Sequence, residues 1–235
     1  MKTALVAGRR GLLGSLACGC AIGWPARRAL AADPQSDVKT TLSADQALAV
    51  LQKGNEDFVN DRPVPQENGR SRRTALTAGQ GPFAVLVGCS DSRVPPELVF
   101  GQGLGHLFIV RVAGNSVDRT VLGTIEYGVA ELGCPLVVVL GHEGCGAIKA
   151  ALKVVSDDLV LPGAIGEMVG PIIPAVLSAQ RMQGDLLANA VKENARRVAR
   201  RLRESDQILS EPVRQGRVKV IAAYYNLADG SVDIL

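Results

Sequence analysis

The sequence predicts an α/β fold with a mostly parallel central sheet flanked by helices. Three short apolar runs, residues 83–88, 107–110 and 136–140, are rich in β-branched side chains. Continuous runs of this length are typical of strands that are buried on both faces. Helical candidates at 117–132 and 145–155 follow the second and third runs. Strands that alternate with helices favour parallel pairing through crossover connections.

The first predicted element is an amphipathic helix. Ser43 is followed three residues later by Gln46, which is the pattern of a capping box. Leu48 and Leu51 then share one face, and we expect this helix to pack on a neighbouring subunit or domain face. Residues 61–69 contain two prolines and several polar residues, and this composition predicts a surface loop.

A long amphipathic helix is predicted from about residue 185 to residue 205. Its apolar stripe contains Leu187, Val191, Ala195, Val198 and Leu202. Five arginines mostly face away from that stripe, namely Arg196, Arg197, Arg200, Arg201 and Arg203. We favour a solvated helix face for these arginines over a basic docking surface. Residues 218–223 should form another strand, and residues 229–230 a hairpin turn into residues 231–235.

Length and charge restrict the classes of protein that fit. A chain of 235 residues, 47% of them apolar and 21% charged, is long enough for one sizeable core and predicts one globular domain. The formal charge is +3, but five basic and no acidic residues precede residue 32, so removing that segment leaves −2. With only 3% aromatic residues, such a chain lacks the charge and stacking side chains of nucleic-acid binders. We therefore expect no nucleic-acid partner.

Residues 1–31 have the pattern of an export signal peptide. An apolar run over residues 11–24 precedes the small residues at 29–31 that signal peptidases favour. The run is too short and too rich in glycine to favour a membrane span, although a buried core helix or an anchor stays open as an alternative. Cleavage after Ala31 leaves residues 32–235 as a single domain without a stable membrane anchor. We expect that domain in the periplasm or outside the cell.

Two features of this segment bear on the export route. Arg9 and Arg10 resemble the pair of a twin-arginine signal, a route that carries folded proteins. Cys18 faintly suggests a lipoprotein signal, but Ser15 stands where a large apolar residue belongs. We therefore favour the twin-arginine route.

Three side chains that bind transition metals follow predicted strands. Cys89 comes after the first apolar run, and His142 and Cys145 come after the third. All three can converge at the carboxyl ends of parallel strands, where open α/β sheets bind ligands. Two thiolates and one imidazole suit Zn²⁺, and three protein ligands leave a fourth position for water, as in catalytic sites. Each cysteine alone could also be an inert buried thiol.

Neighbouring residues strengthen this interpretation. Asp91 and Arg93 place an acid and a base two residues apart beside Cys89. A simple loop salt bridge is the alternative, but its position next to three metal-type ligands favours a functional pair. Cys134 precedes the third strand, at the opposite end from His142, so we expect that it does not reach the metal.

Four segments of the chain resemble the β-carbonic anhydrases. In one-letter code they are CSDSRVPPE at 89–97, RVAGN at 111–115, IEYGV at 125–129 and GHEGCG at 141–146. The resemblance covers nearly all of residues 32–235. It implies four parallel strands plus an antiparallel edge strand, assembled as homodimers or homotetramers.

The resemblance also implies roles for individual residues. Cys89, His142 and Cys145 would bind one Zn²⁺ per chain, and Asp91 and Arg93 would form a catalytic dyad. The implied reaction is the reversible hydration of carbon dioxide to bicarbonate and a proton, by hydroxide that the zinc generates from water. A carbon disulfide or carbonyl sulfide hydrolase on the same fold, and a non-catalytic scaffold protein stabilised by zinc, remain alternatives.

This family has two site types, which differ in the fourth zinc ligand. Water is that ligand in one type; in the other the dyad aspartate moves onto the metal, which makes Asp91 a possible fourth ligand in a closed state. The first type has a glutamine nine residues before the first cysteine, with a phenylalanine and a tyrosine, and Gln80, Phe108 and Tyr127 match these positions. Bicarbonate-regulated members of the second type have tryptophan where this chain has Leu86. We therefore expect the water-bound type, with these three residues lining the substrate pocket.

One departure from the family pattern is His106, which stands where relatives usually have an acidic residue. It could act as a proton shuttle, but a strand-edge histidine without a functional role is favoured. The glycine-rich residues 101–105 precede a strand and do not join a strand to a helix, so they are not predicted to bind a dinucleotide.

Overall fold

A five-stranded sheet with the strand order β2-β1-β3-β4-β5 lies at the centre of the protein. A computed structural model describes residues 39–62, 67–205 and 207–235. The strands are β1 (Ala84–Gly88), β2 (Leu107–Arg111), β3 (Leu136–His142), β4 (Lys219–Tyr225) and β5 (Val232–Ile234). The first four are parallel, and β5 pairs antiparallel with β4. The predicted α/β class with four parallel strands and an antiparallel edge strand is confirmed.

Helices cover both faces of this sheet. They are α1 (Ala44–Val59), α2 (Arg70–Ala75), α3 (Pro96–Val99), α4 (Arg119–Ala130), α5 (Gly146–Asp157), α6 (Ala164–Val169), α7 (Ile173–Ala179), α8 (Leu186–Arg203) and α9 (Gln207–Arg214). The helices predicted at 117–132, 145–155 and 185–205 correspond to α4, α5 and α8. The other short helices, including α6 and α7, were not predicted. Within the described residues, no helix combines the length and the apolarity that a membrane span requires.

Side-chain alternation along the strands divides the core into two layers. Leu86 and Val138 point to the face that α1 covers through Leu51. Val85 and Val139 point to the opposite face, where α4, α8 and α9 pack. All residues of β1 and β3 are buried, as their continuous apolar sequence predicts.

Strand β2 differs from the expectation that all three apolar runs are buried on both faces. It pairs only with β1 in this chain and forms one edge of the sheet. Val110 is buried, but Leu107, Phe108 and Ile109 are only half-buried. An apolar run alone does not distinguish a central strand from an edge strand.

Helix α1 has the predicted capping box but a different packing partner. The Ser43 hydroxyl accepts a hydrogen bond from the Gln46 backbone N–H at 3.2 Å, and the Gln46 side chain accepts one from the Ser43 N–H at 2.8 Å. The buried face of the helix, through Ala47 and Leu51, contacts the sheet of its own chain. The expected packing on a neighbouring subunit or domain is therefore corrected for this face.

A buried asparagine holds α1 against the rest of the chain. The Asn55 amide donates to the carbonyl oxygens of Val99 at 3.1 Å and Gly230 at 2.8 Å, and its oxygen accepts from the Val232 N–H at 2.9 Å. Gly230 belongs to the turn between β4 and β5, where a turn was predicted. The predicted export segment, residues 1–31, and part of the predicted loop, residues 63–66, lie outside the described residues.

The close approach of α1 to the end of α3 generates a stability prediction. A Cβ added at Gly54 would lie 1.9 Å from the Phe100 carbonyl oxygen, whereas one added at Gly123, on the exposed face of α4, would meet nothing within 4 Å. We expect Gly54→Ala to lower the free energy of unfolding by about 1–3 kcal/mol, because a backbone group must move. Gly123→Ala should raise it by about 0.5–1 kcal/mol through helix propensity.

Urea unfolding of the two variants, compared at equal metal content, measures both changes. If Gly54→Ala stabilised the protein as Gly123→Ala does, the close approach of α1 to the Phe100 carbonyl group would be wrong.

Candidate metal centre

The three predicted metal ligands lie at adjacent strand ends. β1 and β3 are neighbouring parallel strands, with Gly88 in register with Leu140. Cys89 follows β1 directly, His142 is the last residue of β3, and Cys145 is the N-cap of α5. Gly144 has φ +66°, a left-handed conformation that turns the chain between the last two ligands. The carboxyl edge of the sheet therefore collects all three side chains, as the sequence predicted.

The ligand atoms are close together and buried. One atom each from Cys89, His142 and Cys145 lies within 4.8 Å of the other two. His142 Nδ1 lies 2.8 Å from the Glu143 carbonyl oxygen, which requires Nδ1 to donate and leaves Nε2 with a free lone pair. Nε2 is buried without a hydrogen-bond partner among the described residues. Two thiols and this nitrogen are the donor set that Zn²⁺ prefers, so the residues present fit the metal.

The electrostatics of the cluster favour a thiolate at Cys89. The Cys145 thiol, His142 and the Gly114 backbone N–H lower the pKa of Cys89, against the opposing effect of burial. The pKa of Cys145 is raised, because its thiol lies against the Cys89 sulfur and is itself buried. Burial alone would lower the pKa of His142, but the Cys89 sulfur, the Glu143 carbonyl oxygen and the Asp91 carboxylate together outweigh it, and the net shift is upward. A divalent cation would relieve this competition by stabilising both thiolates and the neutral imidazole.

Asp91 and Arg93 form the predicted pair beside the cluster. Arg93 donates to Asp91 Oδ1 through its backbone N–H at 3.0 Å and Nε at 2.9 Å, and to Oδ2 through Nη2 at 2.8 Å. The guanidinium holds the pKa of Asp91 far below its usual range, so this carboxylate stays ionised. Asp91 Oδ2 lies 3.9 Å from His142 Nε2, which places it next to the candidate metal position.

Arg111, the last residue of β2, fixes the loop that carries this pair. Its Nε donates to the Cys89 carbonyl oxygen at 2.9 Å, and its Nη2 donates to the Asp91 carbonyl oxygen at 2.5 Å. One guanidinium therefore clamps the backbone on both sides of Ser90. The sequence comparison had identified Arg111 only as part of a motif, without this role.

A turn at 113–115, in which Gly114 and Asn115 are buried, supports the ligands from behind. The Gly114 N–H donates to Cys89 Sγ at 3.4 Å, and the Gly114 carbonyl oxygen accepts from Asn194 Nδ2 at 2.8 Å. Gly114 has φ +68°, and a Cβ there would lie 2.6 Å from the Ile172 side chain, so only glycine fits. Asn115 Nδ2 donates to the Val87 carbonyl oxygen at 3.1 Å and also to that of Leu140.

Sequence reasoning missed these supporting residues, although two signals were present. The Gly-Asn pair at 114–115 is typical of left-handed turns. Asn194 is a polar residue among the buried apolar positions of α8, where it is only 4% exposed. A buried polar side chain requires a hydrogen-bond partner, but the partner could not be identified without the fold.

The three predicted pocket residues do not surround the cluster within one chain. Gln80 is exposed and precedes the start of β1, whereas Cys89 follows its end. Phe108 is in register with Val85 on the edge strand β2. The Phe108 and Tyr127 rings lie 6.0 Å apart, and Tyr127 is 50% exposed. The structure therefore brings two of the three together, and their assignment to the substrate pocket stays a prediction.

Cys134 and His106 are not part of the cluster. Cys134 precedes β3, and its Sγ donates to the Pro82 carbonyl oxygen at 3.4 Å, at the opposite end of the sheet. Burial raises the pKa of this thiol to about 12. His106 precedes β2, also at that end, and burial, aided by Arg72, lowers its pKa. Neither position suits a role at the cluster in the same chain.

Comparisons with known proteins agree with this geometry. Residues 84–232 match the family model described as carbonic anhydrase. Carbonic anhydrase 2 of Mycobacterium tuberculosis is 39% identical over 184 residues, which cover 78% of this chain and 89% of the relative. The carbonic anhydrase of Mycolicibacterium smegmatis is 36% identical over 188 residues, covering 80% and 91%.

The solved structures that resemble this fold include β-carbonic anhydrases. The β-carbonic anhydrase CcaA superposes with a TM-score of 0.62 at 26% identity, over 81% of this chain and 93% of that one. A tetrameric β-carbonic anhydrase of Sordaria macrospora shares the fold, with a TM-score of 0.63 at 23% identity over 69% and 85%. Family match, sequence identity and fold together establish that the chain belongs to the β-carbonic anhydrase family of enzymes.

Proposed function

We propose that this protein catalyses the zinc-dependent, reversible hydration of carbon dioxide to bicarbonate and a proton. The observation that carries the proposal is the buried Cys89–His142–Cys145 cluster, with ligand atoms within 4.8 Å of one another, beside a carboxylate that an arginine holds. The cluster supplies three ligands and leaves a coordination position for water. The relatives named carbonic anhydrase support the same reaction.

The residues around the cluster have distinct chemical roles. Zinc, when bound, lowers the pKa of water so that hydroxide is available near neutral pH. Asp91 is ionised and lies next to that position, so it can accept a hydrogen bond from the hydroxide and orient the lone pair of the hydroxide toward carbon dioxide. Arg93 engages both carboxylate oxygens and keeps Asp91 from turning onto the metal. This arrangement favours the water-bound site type, with Asp91 as a fourth ligand only in a closed state.

A scaffold protein with structural zinc fits the cluster less well. Structural zinc sites have four protein ligands, whereas the described residues place three at this position and hold Cys134 at the other end of the sheet. A hydrolase of carbon disulfide or carbonyl sulfide would keep the same ligands. Only substrate assays distinguish that alternative.

We further propose that the enzyme acts as a homodimer or homotetramer. Half-buried apolar residues on the edge strand β2, and exposed Tyr127 beside Phe108, support a second copy on this side of the sheet. Gln80 precedes β1, at the amino-terminal end of that strand. Such an assembly would allow the three predicted pocket residues to contribute to a site that one chain leaves incomplete.

One prediction of this proposal concerns the metal content and the hydration activity. Purified protein should contain about one zinc per chain and hydrate carbon dioxide. Cys145→Ser should lose most of both, because a serine hydroxyl is a poor zinc ligand. Cys134→Ser removes an equally buried thiol at the other end of the sheet and should retain both. Metal analysis with stopped-flow carbon dioxide hydration tests this, with carbonyl sulfide and carbon disulfide as competing substrates.

Two results would contradict these assignments. Full zinc and full activity in Cys145→Ser would show that the ligand set is wrong. Faster turnover of carbonyl sulfide or carbon disulfide than of carbon dioxide would favour the alternative reaction on the same site.

A second prediction separates the dyad from the metal ligands. Asp91→Asn and Arg93→Ala should each lower turnover by about 10²–10⁴-fold, the usual contribution of a positioned acid or base, while zinc content stays near one per chain. The control Arg62→Ala removes an arginine that pairs with Glu56 and Asp57 on the surface, and it should leave turnover unchanged.

Crystal structures test the mechanism of this loss. In Arg93→Ala, the freed Asp91 carboxylate should occupy the fourth zinc position. The double variant Arg93→Ala/Asp91→Asn should have water there again without regaining the full rate. Wild-type turnover in Arg93→Ala, with water still on the zinc, would reduce the pair to a loop salt bridge.

We also propose that residues 1–31 direct export to the periplasm or the exterior, through the twin-arginine route. Arg9, Arg10 and the small residues before Ala32 support this proposal. Lysine at both arginine positions should retain the precursor in the cytoplasm, and fractionation with immunoblotting measures this. Export of that variant at the normal level would exclude the route, and a mature N-terminus other than Ala32 would exclude the cleavage site.

A further inference from the structure

A groove of about 840 Å³ lies between α4 and α8, and charged side chains line its walls. They are Arg119 from α4, Arg197, Arg200 and Arg201 from α8, and the two acids Glu126 and Glu204. Cys89, His142, Cys145 and Asp91 do not line it; Asn194, which supports the turn behind these ligands, also lines the groove. The sequence alone favoured a solvated face for the arginines of α8, but the structure places three of them in this concave surface.

The arginines of the groove differ from other arginines of the chain. Arg62 pairs with Glu56 and Asp57, and Arg93 pairs with Asp91. Among the described residues, none of the four groove arginines has a carboxylate oxygen within ion-pair distance. Four positive charges against two negative ones leave the groove with a net positive charge, although the chain from residue 32 onward has an excess of acidic residues.

The two acids of the groove offset only part of the positive charge on its walls. Arg197, Arg200 and Arg201 are spaced at i, i+3 and i+4, so they share one helix face and repel one another. Arg201 is held in place, because its Nη1 donates to the Val117 carbonyl oxygen at 2.9 Å. Its remaining N–H groups can still bind an acceptor, since a guanidinium has five donors.

We propose that this groove binds a small anion that carries at least two carboxylate or phosphate groups. Arginine forks match both groups through paired hydrogen bonds. The volume is in the range of small-molecule sites, and Val117, Leu122 and Val198 add apolar surface that the carbon skeleton of such an anion can contact. The arginines come from two helices, so one ligand with two anionic groups can bridge Arg119 and α8.

Calorimetric titration of the zinc-loaded enzyme at low ionic strength tests this site. Propane-1,2,3-tricarboxylate is the carboxylate probe, and inorganic pyrophosphate, which has two phosphate groups, is the phosphate probe. At least one should bind with a stoichiometry of one per chain, and binding should weaken as salt is added. Which of the two binds more tightly identifies the chemical group that the groove prefers. Zinc analysis after each titration ensures that the probe has not removed the metal.

Charge-matched variants locate the binding. Arg197→Ala should weaken binding by about tenfold or more, the effect of losing one charge-assisted contact. Arg196→Ala removes the same charge from the neighbouring residue, which does not line the groove, and should change binding by less than about twofold. Arg119→Ala, on the opposite wall, should weaken binding to a similar extent. This second variant tests the site if Arg197→Ala does not fold.

Three outcomes would overturn the proposal. Equal losses in Arg196→Ala and Arg197→Ala would show only non-specific charge attraction. Unchanged binding in both Arg197→Ala and Arg119→Ala would place the anion elsewhere, for example at the metal. No heat from either probe at millimolar concentration would mean that the groove is not an anion site.

Discussion

The candidate metal centre depends on one buried carboxamide, that of Asn115. Asn115 donates to the carbonyl oxygens of Val87 and Leu140, so it joins β1 and β3 two residues before Cys89 and His142. Its left-handed conformation, with φ +58°, is one that asparagine tolerates better than most residues. A side chain that is not itself a candidate ligand thus helps to fix the separation of Cys89 and His142.

Burial of the cluster costs desolvation free energy, and the surrounding protein groups offset only part of that cost. Thiolates and a lone imidazole nitrogen in a dry site are unfavourable unless donors or a cation stabilise them. The Gly114 N–H provides one donor for Cys89, and Cys145 lies at the start of α5, where the helix dipole favours negative charge. Nε2 of His142 still lacks a hydrogen-bond partner among the described residues. A cation bound here would therefore contribute to folding as well as to chemistry.

The parts that the sequence predicted are those encoded by local patterns. Apolar runs located the strands, a capping box located the start of α1, and the spacing of Cys89, His142 and Cys145 located the cluster. The missed parts depend on contacts between distant segments. Asn194 binds Gly114 eighty positions away, and β2 was assigned to the interior because its edge position follows from pairing alone. Helices α6 and α7 lie around Gly170 and Pro171, residues that usually indicate a loop, and they form because Val169, Ile172 and Val176 join a core cluster.

Exposure separates the candidate metal ligands from the candidate dyad. Cys89, His142 and Cys145 are at most 6% exposed and belong to the ends of a strand or the start of a helix. Asp91 and Arg93 lie on a turn, and the Arg93 side chain is 55% exposed. Breaking their bidentate pair exposes Arg93 to water at little cost, whereas moving a ligand would disrupt buried packing. A movement of Asp91 onto the candidate metal position would therefore be confined to the dyad. Arg111 clamps the backbone of Cys89 and Asp91, so the loop would stay in place while the Asp91 side chain moved.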